Sequence, residues 1–137
     1  EFWTEGVSVV WSGVTLAGQP RLAGVKHLNR LEQVLARVEL AGSTDAPVVL
    51  GVNARGPDGH DTSWLWDVPF EQLRGRRVVA TGDRRLDLAL RLEIAGVDCT
   101  VAADPLAAIR SMPKGEVELI GTYTAFHDVL QVLRVEW

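Results

Sequence analysis

The chain has 137 residues, 47% hydrophobic and 23% charged, a globular composition that excludes a disordered tail, a collagen-like repeat and a disulfide scaffold. Fourteen Lys plus Arg against 18 Asp plus Glu give a net charge of -4, which removes the attraction to phosphate on which most nucleic-acid binders depend. Cys99 is the single cysteine, so no internal disulfide and no thiolate cage can form, and a reducing cytoplasm is the simplest setting. The length suits one domain, 1–137. No apolar run approaches the roughly 20 residues that span a bilayer, and the start lacks the pattern of a signal peptide. A chain that begins at Glu1 instead of Met suggests a processed product or a piece of something longer.

Val7 to Val10 and Val14 to Ala17 are short β-prone runs around Ser12-Gly13, a pair suited to a tight turn, and predict an N-terminal hairpin over 1–20 ahead of an α/β core over 21–137. Val25, Leu28, Leu31, Val34, Leu35 and Val38 follow helical spacing and predict an amphipathic helix closed near Gly42. Val48 to Val52 is a dense apolar run of the kind found in strands covered on both faces. Arg77 to Ala80 repeats it. Asp83 is placed to cap a helix with Leu86, Ala89, Leu90 and Ile94 on its buried side and Gly96 at its end. Thr100 to Ala103 reads as a further strand. Asp104-Pro105 then opens a short helix to about Met112, with proline at the first helical position, where its missing N–H costs nothing. Val117 to Ile120 is the last strand, and Thr124 starts a helix with Phe126, Val129, Leu130 and Leu133 facing inward.

Strand and helix in alternation call for right-handed crossovers and a small, mostly parallel, Rossmann-like sheet flanked by helices. Ligands in such folds gather beyond the carboxyl ends of the strands. Three segments leave those ends: Asn53 to Pro69, Thr81 to Asp83, and Thr122 to Thr124. The first holds Trp64 and Trp66 among Asp58, Asp61 and Asp67, and is too long for a default connection. Turn and cap chemistry for the aspartates, with the tryptophans plugging the sheet, is the plain structural alternative.

Asp58, His60, Asp61 and Asp67 supply metal donors, but their spacing matches neither the acidic ladder of a calcium loop nor a zinc site; no metal is expected. Cys99 stands at the amino end of a strand, away from the functional rim, as an inert thiol would. His27 and His127 fall at helix positions typical of surface residues. Gly82-Asp83-Arg84 lacks the glycine spacing and lysine of a phosphate loop. What remains is an acidic loop without a nucleophile, which is part of an active site at most.

The run Asp58-Gly59-His60-Asp61-Thr62-Ser63-Trp64-Leu65-Trp66-Asp67 followed by Phe70-Glu71 resembles the Asp-Gly-x-Asp-x-Ser-Trp-x-(Trp/Tyr)-Asp signature of the MurT carboxy-terminal domain family. Further matches follow in order at Thr81-Gly82, Arg84, Asp87, Arg91-Leu92, Ala95-Gly96 and Thr122-Tyr123-Thr124, so the resemblance runs from about Val48 to Leu133. MurT is the Mur-ligase-like subunit of lipid II isoglutaminyl synthase, and the resemblance implies a heterodimer with a glutaminase subunit resembling GatD. In that complex glutamine-derived ammonia amidates the α-carboxyl of D-glutamate in the lipid II stem peptide, in the cytoplasm or at the inner membrane face where lipid II lies. The family's central domain holds ATP and Mg; neither is expected within this segment, which would catalyse nothing alone.

By residue-wise correspondence, the resemblance makes Asp61 the aspartate lent to the partner's Cys-His site. Asp58, His60, Trp64 and Asp67 would meet the partner, and Lys26, Gly82, Arg84, Thr122 and Tyr123 would face the ligase site. Trp66 is expected in the core, whereas Trp64 suits core and rim equally. The family's Lys-Asn-Pro-Ala-Gly element corresponds to Lys26-His27-Leu28-Asn29-Arg30, where only the lysine matches. A competing expectation is a scaffold module without chemistry, docking through Trp64, Leu65 and Val68. A third is a free-standing small-ligand binder at the rim near Gly82 and Thr122.

Overall fold

Valine-rich segments buried on both faces make the centre of the sheet. In a computed structural model of the chain, which describes residues 8–11, 20–25, 46–56, 60–104, 107–108, 117–122, 124–125, 127–128 and 131, β1 (Ser8–Trp11), β2 (Pro20–Val25), β3 (Val48–Gly51), β4 (Val78–Thr81), β5 (Cys99–Val101) and β6 (Val117–Thr122) form one six-stranded sheet in the order β1-β2-β6-β3-β4-β5. All pairings are parallel except β1 with β2. Every residue of β3, β4 and β6 is buried, as in strands covered on both faces, and in β6 this includes Glu118. The expected α/β class with its mostly parallel sheet is therefore present.

The hairpin differs from its expectation. The partner of β1 is Pro20–Val25, in the register Ser8 to Val25 and Trp11 to Leu22, and Val14 to Ala17 lie outside the described residues. The same Pro20–Val25 strand pairs in parallel with β6 along its whole length. The hairpin is thus the edge of the sheet, and the expected boundary at residue 20 falls inside a shared strand. Pro20 opens that strand, the position where a missing ladder donor is tolerated.

One helix is described from end to end, α1 (Arg85–Ile94). Gly96, at φ 80, ends it in the left-handed conformation that glycine adopts without strain, with Val97 N–H returning to the Leu92 carbonyl at 2.9 Å. Its start departs from expectation, because Arg84 and not Asp83 occupies the cap position and no side chain caps it. Its rotation departs too. Leu88, Arg91, Leu92 and Ala95 are buried, whereas Leu86, Leu90 and Ile94 are 69%, 52% and 60% exposed. Two apolar rows of helical period run along this segment, and the inner one contains an arginine, which a hydropathy pattern assigns to solvent.

Two short 3-10 turns, Ser63–Asp67 and Phe70–Leu73, drop Leu65, Val68, Phe70 and Leu73 into the core beside Val48, Leu50, Leu88 and Leu92. Ala107 and Ala108 are helical, with Ala108 N–H on the Asp104 carbonyl at 3.0 Å, as the Asp-Pro start predicts. Val25, expected to open a helix, instead ends β2 opposite Ser8 and Thr122; the rest of that helix, the end of the Asp104-Pro105 helix and the inward row Phe126, Val129, Leu130 and Leu133 lie outside the described residues. Among the described residues no helix is long and apolar enough to cross a membrane.

Candidate functional site

The strand order reverses between β3 and β6, since β4 and β5 follow on one side of β3 and β6 on the other. Chain exits meet at such a point, and it is where doubly wound sheets place their ligands. Asn53, just past β3 and buried, joins the exits. Its backbone N–H donates to Thr122 Oγ1 at 3.0 Å, its Nδ2 to Thr124 Oγ1 at 2.9 Å, and its Oδ1 accepts the Asp83 N–H at 2.7 Å. Gly82 stands at φ 100 so close to β3 that a Cβ there would lie 2.5 Å from the Val52 carbonyl oxygen. Only glycine fits that turn. Outside this knot Arg55 bridges Asp83 at 2.8 Å and Asp128 at 3.1 Å. The Arg55 guanidinium holds the Asp83 carboxyl below its ordinary range, and the two carboxylates raise Arg55 in return.

The long loop carries Asp61 in a local turn. Asp61 Oδ1 accepts the Ser63 N–H at 2.9 Å, and the Thr62 carbonyl accepts the Leu65 N–H at 3.1 Å. Asp61 is exposed, and the Ser63 N–H, then the Ser63 side chain, hold its carboxyl below the ordinary range. No ion pair reaches it among the described residues. The carboxylate is ionised, accessible and aimed by backbone geometry.

Arg91 anchors this loop from below. Its side chain is 6% exposed, with Nε donating to the Leu65 carbonyl at 2.9 Å and Nη2 to the Val68 carbonyl at 2.7 Å. A looser pair to Glu71 at 3.3 Å completes the fork, and the guanidinium carbon lies 5.6 Å from the Trp66 ring centroid and 5.4 Å from that of Phe70. A buried cation needs such partners, because without them desolvation is uncompensated. Glu71 is held below its usual range by a backbone hydrogen bond within its own residue and then by Arg91.

Asp61, Trp66, Arg84, Asp87 and Leu90 line one open groove of about 430 Å³ between the loop and the outer face of α1. Arg84 Nε donates to Asp87 at 2.6 Å, so that guanidinium is engaged within its own helix turn. The groove joins an exposed carboxylate to an apolar shelf made by Trp66 and Leu90.

The structure sorts the residues singled out from sequence. His60 and Asp67 are exposed on the Asp61 loop, His60 with Nδ1 3.1 Å from the Ala54 carbonyl oxygen. Asp58, Lys26 and Tyr123 lie outside the described residues. Gly82 and Thr122 belong to the strand-end knot, whereas Arg84 sits with Asp61 in the groove.

Trp66 departs from the core place expected for it, and Trp64 takes the core one of its two expected places. Trp66 is 52% exposed on the far side of its turn, and Trp64 packs partly buried against the core, since three residues per 3-10 turn send Leu65 inward and Trp66 out. Leu65 and Val68 are buried to 2% and 0% exposure, so the docking surface expected at Trp64, Leu65 and Val68 does not exist as such. Cys99 starts β5 at the end of the sheet opposite the rim, and burial pushes its thiol up, the state of an unreactive cysteine. His127 is half-buried. Among the described residues no group of three metal-ligating side chains occurs.

Sequence reasoning missed Asn53 and Arg91. Asn53 stood at the head of the right loop, at a strand exit, and that position was its only signal. Arg91 stood in the Arg91-Leu92 match to the family signature, the one signal that marked it, while its charge assigned it to solvent.

Comparison with known proteins bears directly on the loop. The MurT ligase C-terminal family model matches residues 26–126. The MurT subunit of lipid II isoglutaminyl synthase (glutamine-hydrolyzing) from Staphylococcus aureus strain COL is 33% identical over 92 residues, covering 62% of this chain and 21% of the relative. That of Streptococcus pneumoniae strain ATCC BAA-255 / R6 is 29% identical over 110 residues, covering 74% of this chain and 24% of the relative. The chain therefore spans about a fifth to a quarter of the curated relatives it matches. A match over most of the chain, centred on a parallel sheet with this loop beyond its strand ends, places the chain in the MurT ligase C-terminal family.

Proposed function

We propose that this domain belongs to the ligase subunit of a glutamine-hydrolysing lipid II isoglutaminyl synthase and lends Asp61 to the Cys-His site of a glutaminase partner. A cysteine–histidine pair works faster when a third group fixes the imidazole tautomer and stabilises the imidazolium formed with the thiolate. Asp61 suits that role, because its carboxylate can accept the imidazole N–H while the Ser63 N–H already orients it. The observation that carries the reading is an exposed carboxylate, held in its turn by the Ser63 N–H, with no cation paired to it among the described residues. The ammonia released would amidate the α-carboxyl of D-glutamate in the lipid II stem peptide, with ATP and Mg held elsewhere in the whole subunit. Gly82, Arg84 and Thr122 would border the ligase side.

Asp61→Asn in the reconstituted complex tests it. Glutaminase turnover should fall by about 10⁴-fold with assembly intact, because the amide cannot support the imidazolium. Full turnover overturns the reading.

A second reading, a docking module without chemistry, is favoured by the half-exposed Trp66 beside Leu90. It predicts loss of the partner with Trp66→Ala and normal ammonia release with Asp61→Asn.

A further inference from the structure

We infer that Arg91 is a positioning residue for Asp61, setting the place and direction of that carboxylate through the backbone of the intervening turn. This rests on the reading of Asp61 as a member of the partner's site. The connection is short and continuous. Arg91 Nε donates to the Leu65 carbonyl, the Leu65 N–H donates to the Thr62 carbonyl, and the Ser63 N–H donates to Asp61 Oδ1. Nη2 holds the Val68 carbonyl, so the fork grips the middle of the 3-10 turn and the residue that follows it.

An apolar side chain would fill this part of the core at less electrostatic cost, as the neighbouring Leu88 and Leu92 do. Arginine supplies what they cannot: a planar fork that reads two carbonyls at fixed separation while stacking near Trp66 and Phe70. Glu71 locks the outer edge of the same guanidinium. Misplacing a catalytic group by about 1 Å costs about 100-fold in rate, and the loop has no helix or strand of its own at Asp61 to prevent that displacement.

The test uses the full ligase subunit assembled with its glutaminase partner and compares glutamine hydrolysis by Arg91→Lys, Glu71→Gln, Asp61→Asn and the two double variants that include Asp61→Asn. Arg91→Lys should lower kcat by about 100-fold with KM for glutamine unchanged. Glu71→Gln should lower kcat less, and neither change should lower it further once Asp61 is Asn. Full kcat in assembled Arg91→Lys overturns the inference. So does the same fractional loss in both backgrounds, which marks a merely structural role. Should Arg91→Lys fail to assemble, Glu71→Gln decides by the same criteria. If Asp61→Asn itself retains full turnover, the reading of Asp61 has failed and the inference falls with it; if only the couplings are absent, the inference fails and that reading stands.

Discussion

Asn53 and Thr122 leave neighbouring strands, and the backbone N–H of the first donates to the hydroxyl of the second at 3.0 Å. That bond lies across the point where the strand order reverses, and the Asn53 side chain extends it to Thr124 and Asp83. Asn53, Thr122, Thr124 and the Asp83 backbone are thereby engaged with one another.

Asn53→Ala removes both side-chain bonds and leaves the part-buried Asp83 N–H without its acceptor. The expected cost is about 2 kcal/mol, read as a lower urea midpoint with an unchanged slope. Asn53→Asp should recover part of it, because the oxygen facing Asp83 is kept.

Gly82→Ala should cost more, about 3 kcal/mol, since φ 100 and a Cβ 2.5 Å from a backbone oxygen are both unfavourable. Gly56→Ala is the control. A Cβ at Gly56 meets nothing within 4 Å, and its effect should stay within about 0.5 kcal/mol of zero.

Arg91→Ala should destabilise the domain by about 3 kcal/mol or more, because it strips two buried carbonyls of their donors and leaves a cavity between two aromatic rings. Chemical denaturation measures the loss. Trp66→Ala, at a half-exposed site, should cost far less by the same measurement, whereas Trp64→Ala removes a ring packed on the core and should cost about 3 kcal/mol.

Asp61, Glu71 and Asp83 all have carboxyls lowered in the folded state. Each lowered carboxyl contributes stability that is fully present above its unfolded value, near about 4, and is lost as pH falls through the folded value. Stability should therefore decline on acidification below about pH 4. Arg55→Ala removes the principal cause for Asp83 and should flatten only that share, by less than about 1 kcal/mol, because the pair is half-exposed and screened. Urea midpoints at neutral and acidic pH check the difference.

The central strands were legible because Val48 to Val52 is apolar without alternation, and Val117 to Ile120 is apolar apart from Glu118, which is buried with the rest of its strand. The Asp61 loop was legible from its length and its signature. Strand Pro20–Val25 was not, since Arg21 and Gly24 interrupt it and its pairing to β6 is non-local. The rotation of α1 was misread because its two apolar rows are equivalent in spacing. The inner row is the one whose Arg91 reaches the Leu65 and Val68 carbonyls, contacts that join residues far apart in sequence.

The row Leu86, Leu90 and Ile94 on the outside of α1 has a practical consequence. Three greasy side chains one turn apart keep more than half of their surface in water, which penalises their display. Handled by itself at high concentration, the polypeptide should stick to its own kind through this helix before it unfolds. Light scattering would rise with concentration in wild type, and Leu90→Glu would suppress that rise while leaving the melting temperature in place.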